Sequence, residues 1–250
     1  MSLVLALILM MSVNHVTSSV YLPFGLIHGD TPMSVDDESS PELSVDSFVF
    51  YEKSYTSIWV NVDGSITFTK SARFYNVFKD FNELTVPVIC VFCTDVLPDF
   101  KNRTWYRIST LTSDSQAIQK LARQYEDFGA SFTPSTILVV TWDRVAKQRG
   151  RQPNNTMQIV VATDGVTSLV LLDYDAIVWT DGRSFYPSVG TKVGFNKGDT
   201  KSFYLHPLSK SENLTQLPST SNINEAGLFL YRVDQDPVPP APTLILPTTT

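Results

Sequence analysis

Two apolar runs flank an Asp-Gly pair within residues 156–179, which read TMQIVVATDGVTSLVLLDYDAIVW. The pair, Asp164-Gly165, can place both central turn residues at positive φ, as the tight turn between two strands requires. A two-residue loop would set Val160 opposite Leu169. The runs on either side are unbroken instead of alternating, so both faces should be covered. This pattern predicts a β-hairpin at the centre of a core.

A second Asp-Gly pair, Asp63-Gly64, lies inside SIWVNVDGSITFT, residues 57–69. A two-residue loop there would pair Trp59 with Phe68 on one face. Further apolar, β-branched runs predict short strands at 86–92, 136–142, 189–195, 202–205 and 228–233. Many short strands joined by Asp-Gly and Asn/Pro turns are typical of an antiparallel β fold.

One segment has helical periodicity. Apolar residues recur at helical spacing between 113 and 129 and form one face. Ser113 and Gln116 fit a capping box at its start, and Gly129 is a natural stop. The sequence therefore predicts an α+β, mainly β fold, with an antiparallel β-sandwich-like core, Asp-Gly hairpins and one packed amphipathic helix at about 113–128.

The composition limits the classes of function. The chain has 250 residues, of which 43% are hydrophobic and 18% charged, and a formal net charge of −6. This suits one large globular domain, or at most two small ones. No basic run is present, which argues against nucleic-acid binding and against attraction to anionic membranes. No stretch after the N-terminus is long and apolar enough for a transmembrane helix, so membrane insertion is not expected.

The two ends of the chain differ from its middle. Residues 3–11, LVLALILMM, form an apolar run of about nine residues, too short to span a bilayer but typical of a signal-peptide core. We predict a signal peptide over 1–18, cut near Ser18 or Ser19; a buried N-terminal strand is the alternative. Residues 236–250 are rich in Pro and Thr and predict an extended tail or linker. A secreted, extracellular chain is expected.

Three Asn-x-Thr triplets support export, because such triplets accept N-linked glycans. Their asparagines are Asn102, Asn154 and Asn213, each in a segment predicted to be a loop or a strand edge. We therefore predict glycosylation at these three positions.

The two cysteines, Cys90 and Cys93, have the spacing of a thioredoxin-like motif. That chemistry needs a helix N-terminus to lower the thiol pKa, and the sequence after Cys93 does not look like a helix start. On a regular strand the two Cα atoms would be about 10 Å apart, too far for a disulfide. Two interpretations stay open: buried thiols, or a local disulfide in a bent segment, with the secreted address favouring oxidation.

Candidate catalytic and metal-binding residues are sparse. After signal removal only His28 and His206 remain, and neither a His-Glu-x-x-His nor a Gly-x-Ser-x-Gly motif is present. The acidic run at 36–38 lacks EF-hand spacing and is interpreted as a solvated loop. The sequence predicts no catalytic residues, no metal site and no cofactor.

The tryptophans divide into two groups by their surroundings. Trp59, Trp142 and Trp179 lie in apolar strands and are predicted to be core residues. Trp105, followed by Tyr106, lies next to a predicted glycosylation site and is the better candidate for an exposed aromatic.

Eight short pieces, in order along nearly the whole predicted mature chain, resemble one known family. They include Pro-Phe-Gly at 23–25, Thr-Trp-x-x-Val at 141–145 and Tyr-x-x-Ile-x-Trp at 174–179. The others are Gly-Asp at 29–30, taken with the first piece, and the segments 58–64, 87–96 (ending in Asp-Val), 155–165 (ending in Thr-Asp-Gly), 194–199 and 232–234. Together they resemble the NIDO domain, an extracellular module of nidogen, alpha-tectorin and mucin-4, and place it at 20–235. Cys93 departs from the pattern, since relatives often carry an aromatic there.

The resemblance implies a secreted, glycosylated, non-enzymatic interaction module in cell–matrix adhesion or extracellular-matrix organisation. Its partners would be extracellular-matrix or cell-surface proteins or glycans. A lectin-like carbohydrate-binding domain is the alternative, and a secreted carboxylate-dependent hydrolase is less favoured because no paired site is evident. Aromatic and Arg anchors carry much interface energy, so Arg183, Phe185 and Tyr186 are the predicted partner-binding residues.

Overall fold

The computed structural model of the chain describes residues 21–71, 80–97, 103–129, 131–147, 150–181 and 190–236. The predicted signal peptide, 1–18, lies outside the described residues, as does the predicted tail after residue 236. The strands are β1 (Thr31–Met33), β2 (Leu43–Phe50), β3 (Lys53–Asn61), β4 (Ser65–Thr67), β5 (Val88–Cys93), β6 (Val96–Leu97), β7 (Thr104–Ile108), β8 (Thr136–Lys147), β9 (Gly150–Thr163), β10 (Ser168–Ala176), β11 (Lys192–Asn196), β12 (Phe203–Leu205) and β13 (Leu228–Arg232). The α-helix is α1 (Thr112–Ala122), and short 3₁₀ helices span Leu26–His28, Phe81–Glu83, Glu126–Phe128 and Glu212–Ser219.

The described strands form two antiparallel sheets, which confirms the predicted fold class. The first sheet has the order β1-β7-β8-β9-β10-β13, with β6 also pairing with β8. The second sheet has the order β12-β11-β5-β4-β3-β2. Apolar side chains of both sheets, such as Phe48, Ile58, Leu138 and Ile159, belong to one buried cluster, as expected for a sandwich.

The central hairpin is present, and both of its faces are buried. Val161 and Val170 face the second sheet, while Val160 and Leu171 belong to a second cluster that includes helix residues such as Ile118. The helix therefore packs on the outer face of the first sheet. Each face of the hairpin packs in a separate apolar cluster, which explains why its apolar runs are unbroken.

The predicted register of this hairpin is wrong by two residues. Ala162, not Val160, lies opposite Leu169, and the strands close at Thr163 and Ser168. The turn is longer than expected because the Asp164 carboxylate accepts hydrogen bonds from the N–H groups of the second and third residues after it, at 2.9 and 2.7 Å. This Asx-type turn extends the loop to residues 164–167. A shift of two residues leaves every side chain on its predicted face.

The register of the second hairpin is wrong by one residue. Trp59 pairs with Thr67, not with Phe68. Phe68 is buried with Ile58 in the core between the sheets, while Trp59 is only partly buried. The loop has one residue more than predicted, and an odd shift moves side chains to the opposite face. Trp59 is therefore not a core residue, in contrast to the two other tryptophans assigned to the core.

The helix is shorter than predicted, ending at Ala122, and a separate 3₁₀ turn at Glu126–Phe128 follows. The predicted capping box is not formed: the helix starts one residue earlier, and its N-cap, Leu111, makes no side-chain cap. Asp114 in the first turn is buried instead and forms an ion pair. The first turn of the helix is thus held by the ion pair of Asp114 with Arg107, and not by the predicted capping box.

Both edges of the first sheet have protected backbone groups. At one edge, the Asn222 side chain donates to the carbonyl of Leu230 at 2.8 Å and accepts from its N–H at 2.9 Å. At the other edge, β1 contains Pro32, which has no N–H.

Candidate functional site

The described chain opens with a tight loop that displays two apolar side chains to solvent. Leu26 and Ile27 are 69% and 91% exposed, and we call this pair the apolar tip. Gly25 and Gly29 flank it with φ values of 102° and 82°, which other residues rarely adopt. The Asp30 carboxylate accepts a hydrogen bond from the N–H of Gly25 and closes the loop.

A buried ion-pair network holds this loop against the sheet. Arg107 on β7 lies 2.7 Å from Asp30 on one side and 2.7 Å from Asp114 of α1 on the other. Burial lowers the pKa of Arg107, but its hydrogen bonds to Asp114 and Asp30 outweigh that effect and leave the pKa raised. The apolar tip is thus presented by a loop that is tied to a strand and to a helix.

Two further apolar side chains are exposed at the end of the strand that pairs with β1 and just before α1. Ile108, at the end of β7, and Leu111, just before α1, are 37% and 39% exposed. β7 is the strand that pairs with β1, which directly follows the tip loop. Sequence reasoning missed this surface, since its only signal is a Leu-Ile pair between two glycines, and apolar pairs are common in the chain.

Acidic side chains from separate segments meet at one end of the second sheet. Carboxylate oxygens of Asp36, Asp37 and Asp95 lie within 4.8 Å of one another. The acidic run is therefore more than a solvated loop, because Asp36 and Asp37 face the carboxylate of Asp95, which is 1% exposed. Such oxygens suit a hard divalent cation, and Ca²⁺ takes 6–8 oxygen ligands, so backbone carbonyls or water would have to complete the set.

A further buried carboxylate, Asp63 in the turn between β3 and β4, faces this acidic cluster. Burial, followed by the charge of Asp37, raises the pKa of Asp63 to about 8. The N–H of Val96 donates a hydrogen bond to Asp63 at 3.4 Å and opposes the shift. Sequence reasoning missed the cluster because Asp63 and Asp95 are far from Asp36 and Asp37 in the sequence.

Cys90 and Cys93 are joined in a disulfide, with their Cα atoms 5.1 Å apart. The expected strand spacing does not apply, because β5 bulges here: Cys93 pairs with Lys192 and Cys90 with Gly194, so three steps on β5 match two on β11. Both cysteines are 1% exposed and pack with Phe81 in a small cluster. The disulfide is therefore buried and links the two sides of the bulge.

The predicted glycosylation sites differ in their surroundings. Asn213 is exposed in the 3₁₀ helix Glu212–Ser219, and Thr215 of the same triplet is exposed as well. Asn154 is partly buried on β9. The next residue, Asn155, is fully buried and binds the backbone of Trp179. Asn102 lies outside the described residues.

The structure does not bring the predicted binding residues together at a described site. Arg183, Phe185 and Tyr186 lie outside the described residues. The prediction of an exposed aromatic at Trp105, followed by Tyr106, is wrong: Tyr106 is 7% exposed and belongs to the core between the sheets, and Trp105 is partly buried.

None of the helices in the described ranges has the length and apolar character needed to cross a membrane.

The family model described as "Nidogen-like domain" matches residues 56–235 of the chain. Alpha-tectorin of Gallus gallus is 30% identical over 243 residues, which cover 91% of this chain and 11% of that protein. Nidogen-2 of Mus musculus is 25% identical over 264 residues, covering 93% of this chain and 18% of that protein.

A more distant relative is similar over a shorter stretch. Nidogen of Drosophila melanogaster is 24% identical over 194 residues, covering 74% of this chain and 14% of that protein. The chain therefore spans between 11% and 18% of the length of these relatives. No solved structure gives a significant match.

Proposed function

The chain belongs to the nidogen-like domain family, and on that premise we propose that it is a secreted, glycosylated, non-enzymatic interaction module of the extracellular matrix, acting in cell–matrix adhesion or matrix organisation. The domain would cover residues 20–235, because β1 and β2, which precede the family match, pair within the same two sheets. Its partners would be matrix or cell-surface proteins or glycans.

The apolar tip is the observation that carries this proposal. Apolar side chains gain free energy when a partner removes them from water, at about 25 cal/mol per Å². Leu26 and Ile27 are exposed on a loop whose base is fixed by the ion pairs of Arg107. A preorganised apolar anchor loses little conformational entropy on binding, so more of its burial energy is available as affinity. We infer that the tip inserts into an apolar pocket of the partner.

Capture on native matrix tests the role of the tip. Purified parent protein and the double variant Leu26→Ser/Ile27→Ser are cross-linked on decellularised matrix, and captured components are identified by mass spectrometry. Val166→Ser is the matched control, because Val166 is 74% exposed but lies alone in the central turn. We expect the tip variant to lose at least about 10-fold in capture, corresponding to about 1.4 kcal/mol, with its melting temperature unchanged.

The remaining predicted binding residues are tested in the same assay. A triple Ala variant at Arg183, Phe185 and Tyr186 should weaken capture if that segment also contacts the partner. Parent-like capture by the tip variant would place the binding surface elsewhere. Failure of the parent protein to capture any matrix component would overturn the proposed function.

Secretion and glycosylation have their own test. Expressed in eukaryotic cells, the chain should appear in the medium with its N-terminus at residue 19 or 20, and an amide glycosidase should reduce its mass. Asn213→Gln should remove one glycan, because this triplet is exposed on the folded surface. Cytosolic retention with Met1 intact would contradict export.

A further inference from the structure

Three carboxylates from two separate segments come together at one end of the second sheet. Asp36 and Asp37 belong to the loop between β1 and β2, and Asp95 lies between β5 and β6. One oxygen of each carboxylate lies within 4.8 Å of the other two, and the Oδ1 atom of each is shielded from solvent. Negative charges at such distances repel each other strongly where water is excluded. The arrangement therefore favours a cation among these oxygens.

A fourth carboxylate gives an independent observation. Asp63, in the turn between β3 and β4, is 1% exposed and forms no ion pair within the described residues. The one hydrogen bond that its carboxylate accepts there comes from the Val96 N–H, at 3.4 Å. Burial, and then the charges of Asp37, Asp95 and Asp36, raise its pKa, so it lies beside the same three carboxylates. A buried carboxylate with one long hydrogen bond needs a further partner.

Main-chain hydrogen bonds hold the contributing segments together. The Val62 N–H donates to the Glu38 carbonyl at 3.0 Å, which fixes the loop between β1 and β2 against β3. The Thr94 N–H donates to the Asp63 carbonyl at 3.3 Å, which joins the segment after β5 to the turn. The Glu38 carboxylate accepts hydrogen bonds from two N–H groups of its own loop, at 3.3 and 3.2 Å. Because these segments are tied to one another, binding an ion between them would cost little conformational entropy.

The spacing of the oxygens suits calcium better than magnesium. Ca²⁺ binds oxygen at about 2.3–2.6 Å, so two ligands on opposite sides of one ion are about 5 Å apart. The limit of 4.8 Å among the three carboxylates lies within that span. Mg²⁺ binds at about 2.0–2.1 Å, loses its water reluctantly and is seldom held by a cage of protein ligands. Several carboxylates supplied by one chain are instead typical of a calcium site.

We propose that Asp36, Asp37 and Asp95 bind one Ca²⁺ ion, with Asp63 as a fourth carboxylate beside it. Backbone carbonyls or water complete the 6–8 oxygen ligands that Ca²⁺ takes. The ion joins the loop between β1 and β2 to the segment after β5, so its binding stabilises the folded state by mass action. The acidic run, for which the sequence predicts only solvation, thus supplies two of the ligands.

Trp142 offers a reporter of this site. Its Nε1–H donates to the carbonyl of Val62, the residue before Asp63, at 2.8 Å. Tb³⁺ occupies calcium sites and emits light when a nearby tryptophan is excited. The purified chain is freed of metal with EGTA, titrated with Tb³⁺ and then with Ca²⁺. We expect tryptophan-sensitised emission that Ca²⁺ displaces, with a Kd for Ca²⁺ at or below about 1 mM, the weak end of protein calcium sites.

Thermal melts give a second readout and define the ligands. At about 10 mM Ca²⁺ the parent protein should melt at least about 3 °C higher than in EGTA, and the same concentration of Mg²⁺ should have a smaller effect. The variant Asp36→Asn/Asp37→Asn changes two partly buried side chains and should weaken Ca²⁺ binding at least about 10-fold. Asp173→Asn is the matched control, because Asp173 is a buried carboxylate of the first sheet, 7% exposed. It should keep the full calcium shift.

The variant Asp63→Asn separates ion binding from a structural role. The pKa of about 8 for Asp63 belongs to the metal-free protein. In EGTA the variant should melt above the parent, because it lacks a poorly satisfied buried carboxylate, whereas its calcium shift should be smaller. A purely structural carboxylate would leave the calcium shift unchanged.

Three results would overturn the assignment. The first is the absence of both a calcium shift and Ca²⁺-displaceable emission in the parent. The second is an unchanged Ca²⁺ affinity in Asp36→Asn/Asp37→Asn or an unchanged calcium shift in Asp63→Asn. The third is an equal shift with Mg²⁺. Because the probe is the ion alone, these results are independent of matrix capture and of the proposed function.

Discussion

Replacement of Arg107 by Met tests whether the buried ion-pair network stabilises the fold. The guanidinium lies 2.7 Å from both Asp30 and Asp114, and these side chains are 4%, 1% and 2% exposed. Arg107→Met leaves two buried carboxylates without their cation, while the methionine side chain retains much of the volume. Removing one partner of a buried pair costs about 3–5 kcal/mol. Because one cation serves two carboxylates here, we expect a loss of at least about 3 kcal/mol in the free energy of unfolding.

Urea denaturation at pH 7 measures this loss from the shift in midpoint at constant slope. A triple variant that adds Asp30→Asn and Asp114→Asn is the control, because it removes the unpaired charges together with the cation. It should recover part of the lost free energy, since neutral amides tolerate burial better than carboxylates. A loss below about 1 kcal/mol in Arg107→Met, or a triple variant no more stable than the single one, would refute the reasoning.

Two further predictions concern the turn between β3 and β4. A Cβ on Gly64 would lie 2.3 Å from the Phe92 carbonyl oxygen, whereas Gly165 has a similar positive φ and nothing within 4 Å. In thermal melts Gly64→Ala should therefore cost about 3 kcal/mol or more and Gly165→Ala about 1 kcal/mol; equal losses would show that β5 yields to the new methyl group. The pKa of Asp63 is about 8 in the folded chain against 3.8 unfolded. The folded state therefore favours the protonated carboxyl, so the contribution of Asp63 to the free energy of unfolding is fully present below about pH 4 and is lost as the pH rises through about 8. Asp63→Asn should gain stability relative to the parent between pH 4 and pH 9 in urea titrations, and parallel pH profiles would contradict this.

The strands and the two-layer architecture could be predicted from the sequence because apolar runs and turn residues are local signals. Their pairing depends on turn length, which is set by side-chain hydrogen bonds such as those of Asp164. Asp-Gly predicts a two-residue loop at both hairpins, and both loops are longer in the structure. In the central hairpin the register shift is two residues, which leaves the side chains on their predicted faces. In the second hairpin the shift is one residue, which moves side chains to the opposite face.

The candidate sites were harder to predict, because their residues come together only through the fold. Arg107 and its two carboxylates belong to β7, the tip loop and α1, and no local pattern links them. The disulfide depended on a bulge in β5, which a regular strand spacing excludes. The position of Trp105 next to a glycosylation triplet favours exposure, yet this side chain is partly buried on β7.

The protected edges of the first sheet restrict how copies of this domain can associate. An open edge with free N–H and C=O groups invites another chain to add a strand, and such growth propagates into fibrils. Asn222 occupies the Leu230 backbone groups at one edge, and Pro32 interrupts the donor row at the other. A protein held at high local concentration in a matrix would therefore resist polymerisation by strand addition through this sheet. Contacts between neighbouring molecules at these two edges would instead have to use side chains.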